Sequence, residues 1–190
     1  MTAAVPSSAP TGWSLMAPPG WRRHRAEELT TQNPFAGFEQ LARDAGRADL
    51  VIQARSLTAE LRSSMREGRV LEIHLPTTLE AVEAASASLT IARYRTEEGV
   101  TAESAAARIA KARPVERVDD AAALQFRFRV ESTRYAEQGV YASHTMAVFP
   151  RPAASGGLFA TFTALHDGSG AEPVLALGDV MLASLTWRTP

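Results

Sequence analysis

Four histidines (His24, His74, His144 and His166) and several paired arginines are the residues of this chain whose types could do chemistry. No histidine has another at i+3 or i+4, so no metal-ligand pair is encoded locally. His166-Asp167 resembles half of a Ser-His-Asp triad, which would mean hydrolysis, but no G-x-S-x-G elbow marks a serine nucleophile. His74 alternates with Glu72 on a polar strand face, where a solvated imidazole is expected. His144 keeps the register of Val140, Ala142, Met146 and Val148, so it reads as a core-edge imidazole bonded to a backbone carbonyl. Neither G-x-x-x-x-G-K-[ST] nor G-x-G-x-x-G occurs. The G-S-G at 168–170 reads as a turn and Asp119-Asp120 as a loop at a strand end. No catalytic, metal or cofactor site is assigned.

The arginines carry more pattern. Among 20 basic residues only Lys111 is a lysine. A GC-rich genome explains that bias; so would a need for guanidinium forks that grip carboxylates or phosphates. Arg127 and Arg129 alternate with Phe126, Phe128 and Val130 in L-Q-F-R-F-R-V, which puts them on the polar face of a strand. Arg93 and Arg95 share the parity of Leu89 and Ile91, so they need a bulge or a strand end to reach that face. If the two strands are neighbours, the four arginines form one basic surface, which Glu72, His74, Glu131, Thr161 and Thr163 could share. That face is either solvated, or roofed by a helix whose acids pair with it, or a docking surface for an acidic protein segment. Trp21 follows Pro-Gly and precedes Arg22-Arg23; it is either an exposed anchor or packed against the C-terminal helix. Arg93, Arg95, Arg127, Arg129 and Trp21 are thus the candidate partner-binding residues. No aromatic side chains stack beside the arginines on that face, which argues against nucleic acid.

The elements that must hold these residues follow from periodicity. Leu124–Val130 alternates strictly, the mark of a strand with two unlike faces, and reads as an inner strand. Similar segments span 140–149 and 157–165, and shorter ones 70–75, 87–95 and 114–118. A first strand is expected at 13–17, an edge because Pro18-Pro19 denies backbone donors. Residues 22–34 look like a loop. Helical spacing runs from Asn33-Pro34 to Gly68, with Gly46 either splitting or weakening it, and T-T-L-E-A-V-E is a loop or one helical turn. Thr101 could cap a short helix over 101–111. Pro173 begins a last helix whose spacing runs through Leu185 toward Trp187. The expected fold class is α+β: an antiparallel sheet of six or seven strands with helices on its apolar face.

Composition bounds the rest. The 190 residues suit one domain over 12–190 after a disordered tail at 1–11. A net charge of −1 gives no strong pull toward nucleic acid or anionic membrane. With no cysteine, disulfides and thiol chemistry are excluded. The first residues lack a signal-peptide pattern, and no apolar window is long enough to span a membrane, so a cytoplasmic protein is expected.

Two pieces carry a resemblance. One is W-S-L-M-A-P-P-G-W at Trp13–Trp21. The other is the C-terminal order: a strand with Tyr141 ending in Phe149-Pro150-Arg151-Pro152, then F-A-T-F-T at Phe159–Thr163, then a helix closing on Ser184, Leu185 and Trp187. Together they resemble the PsbP-like α/β/α sandwich shared with the Ran-binding Mog proteins, and its actinobacterial members above all. The helical insert at 35–67 departs from the smallest members. The resemblance implies binding: members mostly bind partners or serve as accessory subunits. The expected function is a non-catalytic binding or accessory protein, a chaperone or an accessory subunit of a larger bacterial assembly. The alternatives are a small-molecule or lipid carrier with a cavity between sheet and helix, and a hydrolase-type enzyme built on a histidine.

Overall fold

The computed structural model describes residues 10–31, 33, 36–48, 51–52, 55, 69–97, 99–119, 121–133, 136–139, 141–168 and 171–188. Seven strands form one antiparallel sheet: β2 (Trp21–Arg25), β3 (Val70–Pro76), β4 (Ala87–Tyr94), β5 (Glu116–Val118), β6 (Gln125–Ser132), β7 (Tyr141–Pro150) and β8 (Gly157–His166). Their spatial order is β2-β3-β4-β8-β7-β6-β5. A separate two-stranded ribbon joins β1 (Gly12–Ser14) to β9 (Thr186–Arg188), with Trp13 opposite Trp187. The described helices are α1 (Ala26–Thr31), α2 (Ala36–Asp44), α3 (Leu79–Ala84), α4 (Ala102–Ala110) and α5 (Glu172–Ala183). The fold is α+β, as its alternating strands predict.

Alternation works differently here from the simple wet-and-dry expectation, because both faces of the sheet are covered. On one face Leu89, Ile91, Phe149, Leu158, Ala160 and Phe162 form the main core, with Leu175, Met181 and Leu182 of α5 packed in the same cluster. Burying such side chains contributes roughly 1.5–3 kcal/mol each. On the other face Phe126 and Val148 pack with Ala106 of α4. The α4 helix starts as expected: the Thr101 hydroxyl accepts from the Ser104 N–H. Phe126 and Leu89 therefore lie on opposite faces. Arg127 and Arg129 share the main-core face with Leu89 and Ile91, whereas Thr161 and Thr163 lie on the other.

Several elements depart from expectation. Trp21–Arg25 is a strand and Ala26–Thr31 a helix, where a loop was expected. W-R-R-H-R hides its alternation because it is an edge strand: Trp21 is half-buried and His24 buried, while Arg22, Arg23 and Arg25 reach solvent. The last helix ends at Ala183, and Trp187 belongs to β9. Trp13 lies in the ribbon and not at the edge of the large sheet. Residues 79–84 form the short helix α3, capped by Thr78. Gly46, at φ +69°, follows the end of α2 by two residues, so the helical span is split there; most of 49–68 lies outside the described residues. Pro10 and Thr11, expected in the tail, are anchored: Arg151 donates to the Pro10 carbonyl oxygen, and the Thr11 N–H donates to Arg188.

Candidate functional site

Where β4 ends, three pieces of chain meet over its last residues. The ribbon brings Trp13 and Trp187, the β7–β8 hairpin brings Arg151 and Ser155, and β4 itself brings Arg93, Tyr94 and Arg95. The cleft between them has a volume of about 400 Å³, within the range of ligand pockets. Two glycines permit the close approach. Gly156 sits at φ +77°, where a Cβ would lie 2.5 Å from the Tyr94 carbonyl oxygen, and a Cβ on Gly157 would collide with the Phe149 carbonyl oxygen. The floor is apolar, from Leu71 and Leu158. Leu71 reaches it because a bulge between Val70 and Glu72 adds one residue to β3.

The electrostatics of the cleft are one-sided. Arg93, Arg95 and Arg151 line it, and among the described residues no acidic one does. Arg93 and Arg95 are exposed, and neither guanidinium has an ion pair or hydrogen bond among the described residues. Arg151 points both its Nε (3.0 Å) and an Nη at the Pro10 carbonyl oxygen, which fixes the hairpin to the ribbon. Tyr94 turns its ring to the other sheet face, against Ala106, Phe126 and Val148, where burial pushes its phenol up to about 12. The indole Nε1 of Trp187 is buried with no partner among the described residues, an unused donor beside the guanidiniums.

Beneath Trp13 lies a buried charge. Glu72 is only 2% exposed. Its Oε1 accepts from Trp13 Nε1 at 3.1 Å and from His74 Nε2 at 3.0 Å, and its Oε2 pairs with Arg23. Burial pushes its carboxyl pKa up, but the hydrogen bonds from His74 and Trp13 and the Arg23 charge outweigh this and hold it below the ordinary value. Glu72 and His74, expected in solvent, are instead a desolvated pair that positions the cleft wall. They are buried because the polar face of β3 lies under the N-terminal segment.

The arginines of β6 have a different fate. Arg127 Nε donates to Gln125 Oε1 at 2.6 Å, and its Nη2 donates to the Asp179 carbonyl oxygen at 3.2 Å. Arg129 donates to Glu172 at 3.2 Å and to Asp179 Oδ2 at 3.0 Å. Burial lowers the Arg129 pKa, but Asp179 and Glu172 more than offset it and the net direction is up. Of the three possibilities for this face, the structure takes the roofed one: α5 supplies the acids. The four arginines do not form one surface either. Strands β8 and β7 stand between β4 and β6, a gap of roughly 14 Å at the usual strand spacing. Trp21 is not a free anchor: it is half-buried and stacks on Phe162, with ring centroids 6.3 Å apart.

The remaining histidines sit in short chains of hydrogen bonds. The Gly168 N–H donates to His166 Nδ1 at 3.2 Å, which assigns the proton of a neutral ring to Nε2. That N–H points at Ser143 Oγ, 2.8 Å away, and the serine hydroxyl donates to Glu131 Oε2 at 2.5 Å. The serine proton therefore faces the Glu131 carboxylate rather than the imidazole, and Ser143 is 2% exposed. Ser143 was invisible in the sequence because register alone brings it beside His166. His144 bonds the Thr163 hydroxyl at 3.0 Å rather than a carbonyl, and burial lowers its pKa against the opposing charge of Glu131. Asp119 pairs with exposed Arg117, while Asp120, Ser169 and Gly170 lie outside the described residues. Among the described residues no three His, Asp or Glu side chains converge as a metal site, and no described helix is long and apolar enough to cross a membrane.

Comparison with known proteins adds no family to this geometry: no family model matches the chain, and no curated protein matches it.

Proposed function

We propose that the protein is a non-catalytic binding or accessory protein, and that the cleft between the ribbon, β4 and the β7–β8 hairpin receives an acidic segment of a partner protein. The observation that carries this reading is the contrast in pairing: among the described residues Arg93 and Arg95 stand exposed without an ion pair, in a cleft that no described acid lines. Guanidiniums grip carboxylates in bidentate forks, and the two indoles that line the cleft suit the aliphatic stems of Glu. The resemblance to PsbP-like binding proteins points the same way. A carrier reading has less support, since the cavity beside α5 is lined by Arg127, Arg129, Glu116 and Asp179 and does not suit a lipid.

Trp13 and Trp187 are two of the chain's three tryptophans and both line the cleft, so intrinsic fluorescence reports on it. Titration with a Glu-rich peptide should change the emission saturably, and added salt should weaken the response. Charge reversal in R93E/R95E should abolish it. Equal binding by wild type and R93E/R95E, or no response in the wild type, would overturn the assignment.

A further inference from the structure

A second concavity lies under α5, near the β5 edge of the sheet. It has a volume of about 350 Å³ and shares no lining residue with the cleft beside β4. Three neighbouring strands and the helix supply its polar lining: Glu116 of β5, Arg127 and Arg129 of β6, Thr145 of β7 and Asp179 of α5. Register sets the strand residues on one sheet face, with Glu116 opposite Arg127 and Arg129 opposite Thr145. Pro114 and Val115, just before β5, give it an apolar end. Two of the polar groups have no use inside the fold. Thr145 is 1% exposed, and its Oγ1 has no hydrogen-bond partner among the described residues, a state in which buried hydroxyls are seldom left. Glu116 is exposed, and among the described residues its carboxylate has no ion pair or hydrogen bond. Arg127 and Arg129 are committed to α5 and to Gln125, but Arg129 spends only Nη1 and Nη2 there and keeps Nε.

We infer that this concavity binds a small amphoteric molecule, an α-amino acid with an aliphatic side chain. Glu116 takes its ammonium, Thr145 Oγ1 and Arg129 Nε take its carboxylate, and Pro114 and Val115 cover its side chain. The charges decide the class. The lining carries two guanidiniums and two carboxylates, so an anion alone would meet Glu116 and Asp179, and a cation alone would meet Arg127 and Arg129. A molecule carrying both charges close together satisfies both walls. The same charges that turn away a lipid admit it. The spacing suits a single molecule. Glu116 and Thr145 stand two strands and two residues apart, roughly 12 Å between Cα atoms at the usual spacing. Their side chains, with one hydrogen bond at each end, leave room for one amino acid between them. Its volume also sits at the lower end of the range for ligand pockets, where a small occupant belongs.

Titration of the protein with L-leucine up to about 10 mM, followed by amide NMR shifts, should give saturable changes at 115, 116, 129 and 145 with a Kd of about 0.1–1 mM. Leucinamide lacks the carboxylate and N-acetyl-leucine lacks the ammonium; each should bind at least about tenfold more weakly. E116Q keeps an exposed polar side chain and should weaken leucine at least about tenfold. T145V removes a hydroxyl that bonds nothing in the free chain, so it should weaken leucine while leaving the urea midpoint of the free protein unchanged or higher, a split that a merely structural role would not give. R93E/R95E should leave leucine binding as it is, so failure here and failure of the cleft are told apart. The two analogues probe the wild-type chain, so the charge requirement is tested even if T145V or E116Q fails to fold. No saturable shift with leucine, isoleucine or valine would overturn the inference. So would equal affinity for leucine and leucinamide, shifts confined to other residues, or binding indifferent to both E116Q and T145V. Loss of leucine binding in R93E/R95E would move the ligand to the cleft and also overturn it.

Discussion

Arg127 and Arg129 near one end of the sheet, and Arg93 and Arg95 toward the other, began as the same kind of residue: guanidiniums alternating along a strand. Arg93 even shares a sheet face with Arg127 and Arg129. What separates them is the roof. Above β6 the helix α5 brings Glu172 and Asp179, and the arginines are used inside the fold. Above the end of β4 the ribbon brings two indoles and no carboxylate, and the arginines are left facing outward. The parity of a residue on its strand sets where its side chain starts, and the element packed overhead decides whether its charge holds the fold together or waits for a partner.

The largest test of that contrast is R127E. Its side chain is 13% exposed and held by Gln125 and Asp179, so reversal puts a second carboxylate beside Asp179. It should cost about 3–5 kcal/mol in urea unfolding; a cost near zero would erase the distinction between the two pairs. R129A should cost less, about 0.5–1 kcal/mol, because Arg129 is 45% exposed and Glu172 77% exposed and solvent screens such pairs. R93E/R95E should change stability by no more than about 0.5 kcal/mol while removing peptide binding. If it unfolds the protein instead, the cleft arginines are structural too.

The pH dependence sharpens the contrast from another side. His24 and His144 have folded pKa values below their ordinary 6.5, each chiefly through burial. The unfolded chain therefore binds more protons between the two values, and stability falls as pH drops below 6.5. Glu72, also lowered from its ordinary 4.5, adds a second decline starting near that pH. Thermal midpoints should thus fall in two stages on acidification, and His144→Gln should shrink the first. An unchanged first stage in both His144→Gln and His24→Gln would remove burial of neutral imidazole as its cause.

Strands β6, β7 and β8 were legible because ten or so residues of period two leave little ambiguity, and the Thr101 cap was legible because it is local. Edge strand β2 was not, since Arg22, Arg23 and Arg25 swamp the two inward positions. Trp187 continued the spacing of α5 by chance, so the ribbon was read as helix. Arg93 and Arg95 were found from parity, but Arg151, Trp13 and Trp187 join them only through tertiary contacts, across 56–58, 80–82 and 92–94 residues of sequence respectively. Glu72 and His74 were misplaced because a polar alternation marks the far side of a strand and does not say whether that side is wet.

The ribbon that closes the cleft is held by three residue pairs, Gly12–Arg188, Trp13–Trp187 and Ser14–Thr186, and by the grip of Arg151 on Pro10. So short a ladder opens at far lower free energy than the sheet beneath it. The cleft therefore has a population as well as a shape. For the acidic segment proposed above, the apparent affinity would be the intrinsic affinity scaled by the fraction of molecules whose ribbon is closed, and an occupant that needs Trp13 and Trp187 together would raise that fraction. Resistance of the Pro10–Leu15 segment to proteolysis would then serve as a gauge of occupancy, readable without following the ligand at all.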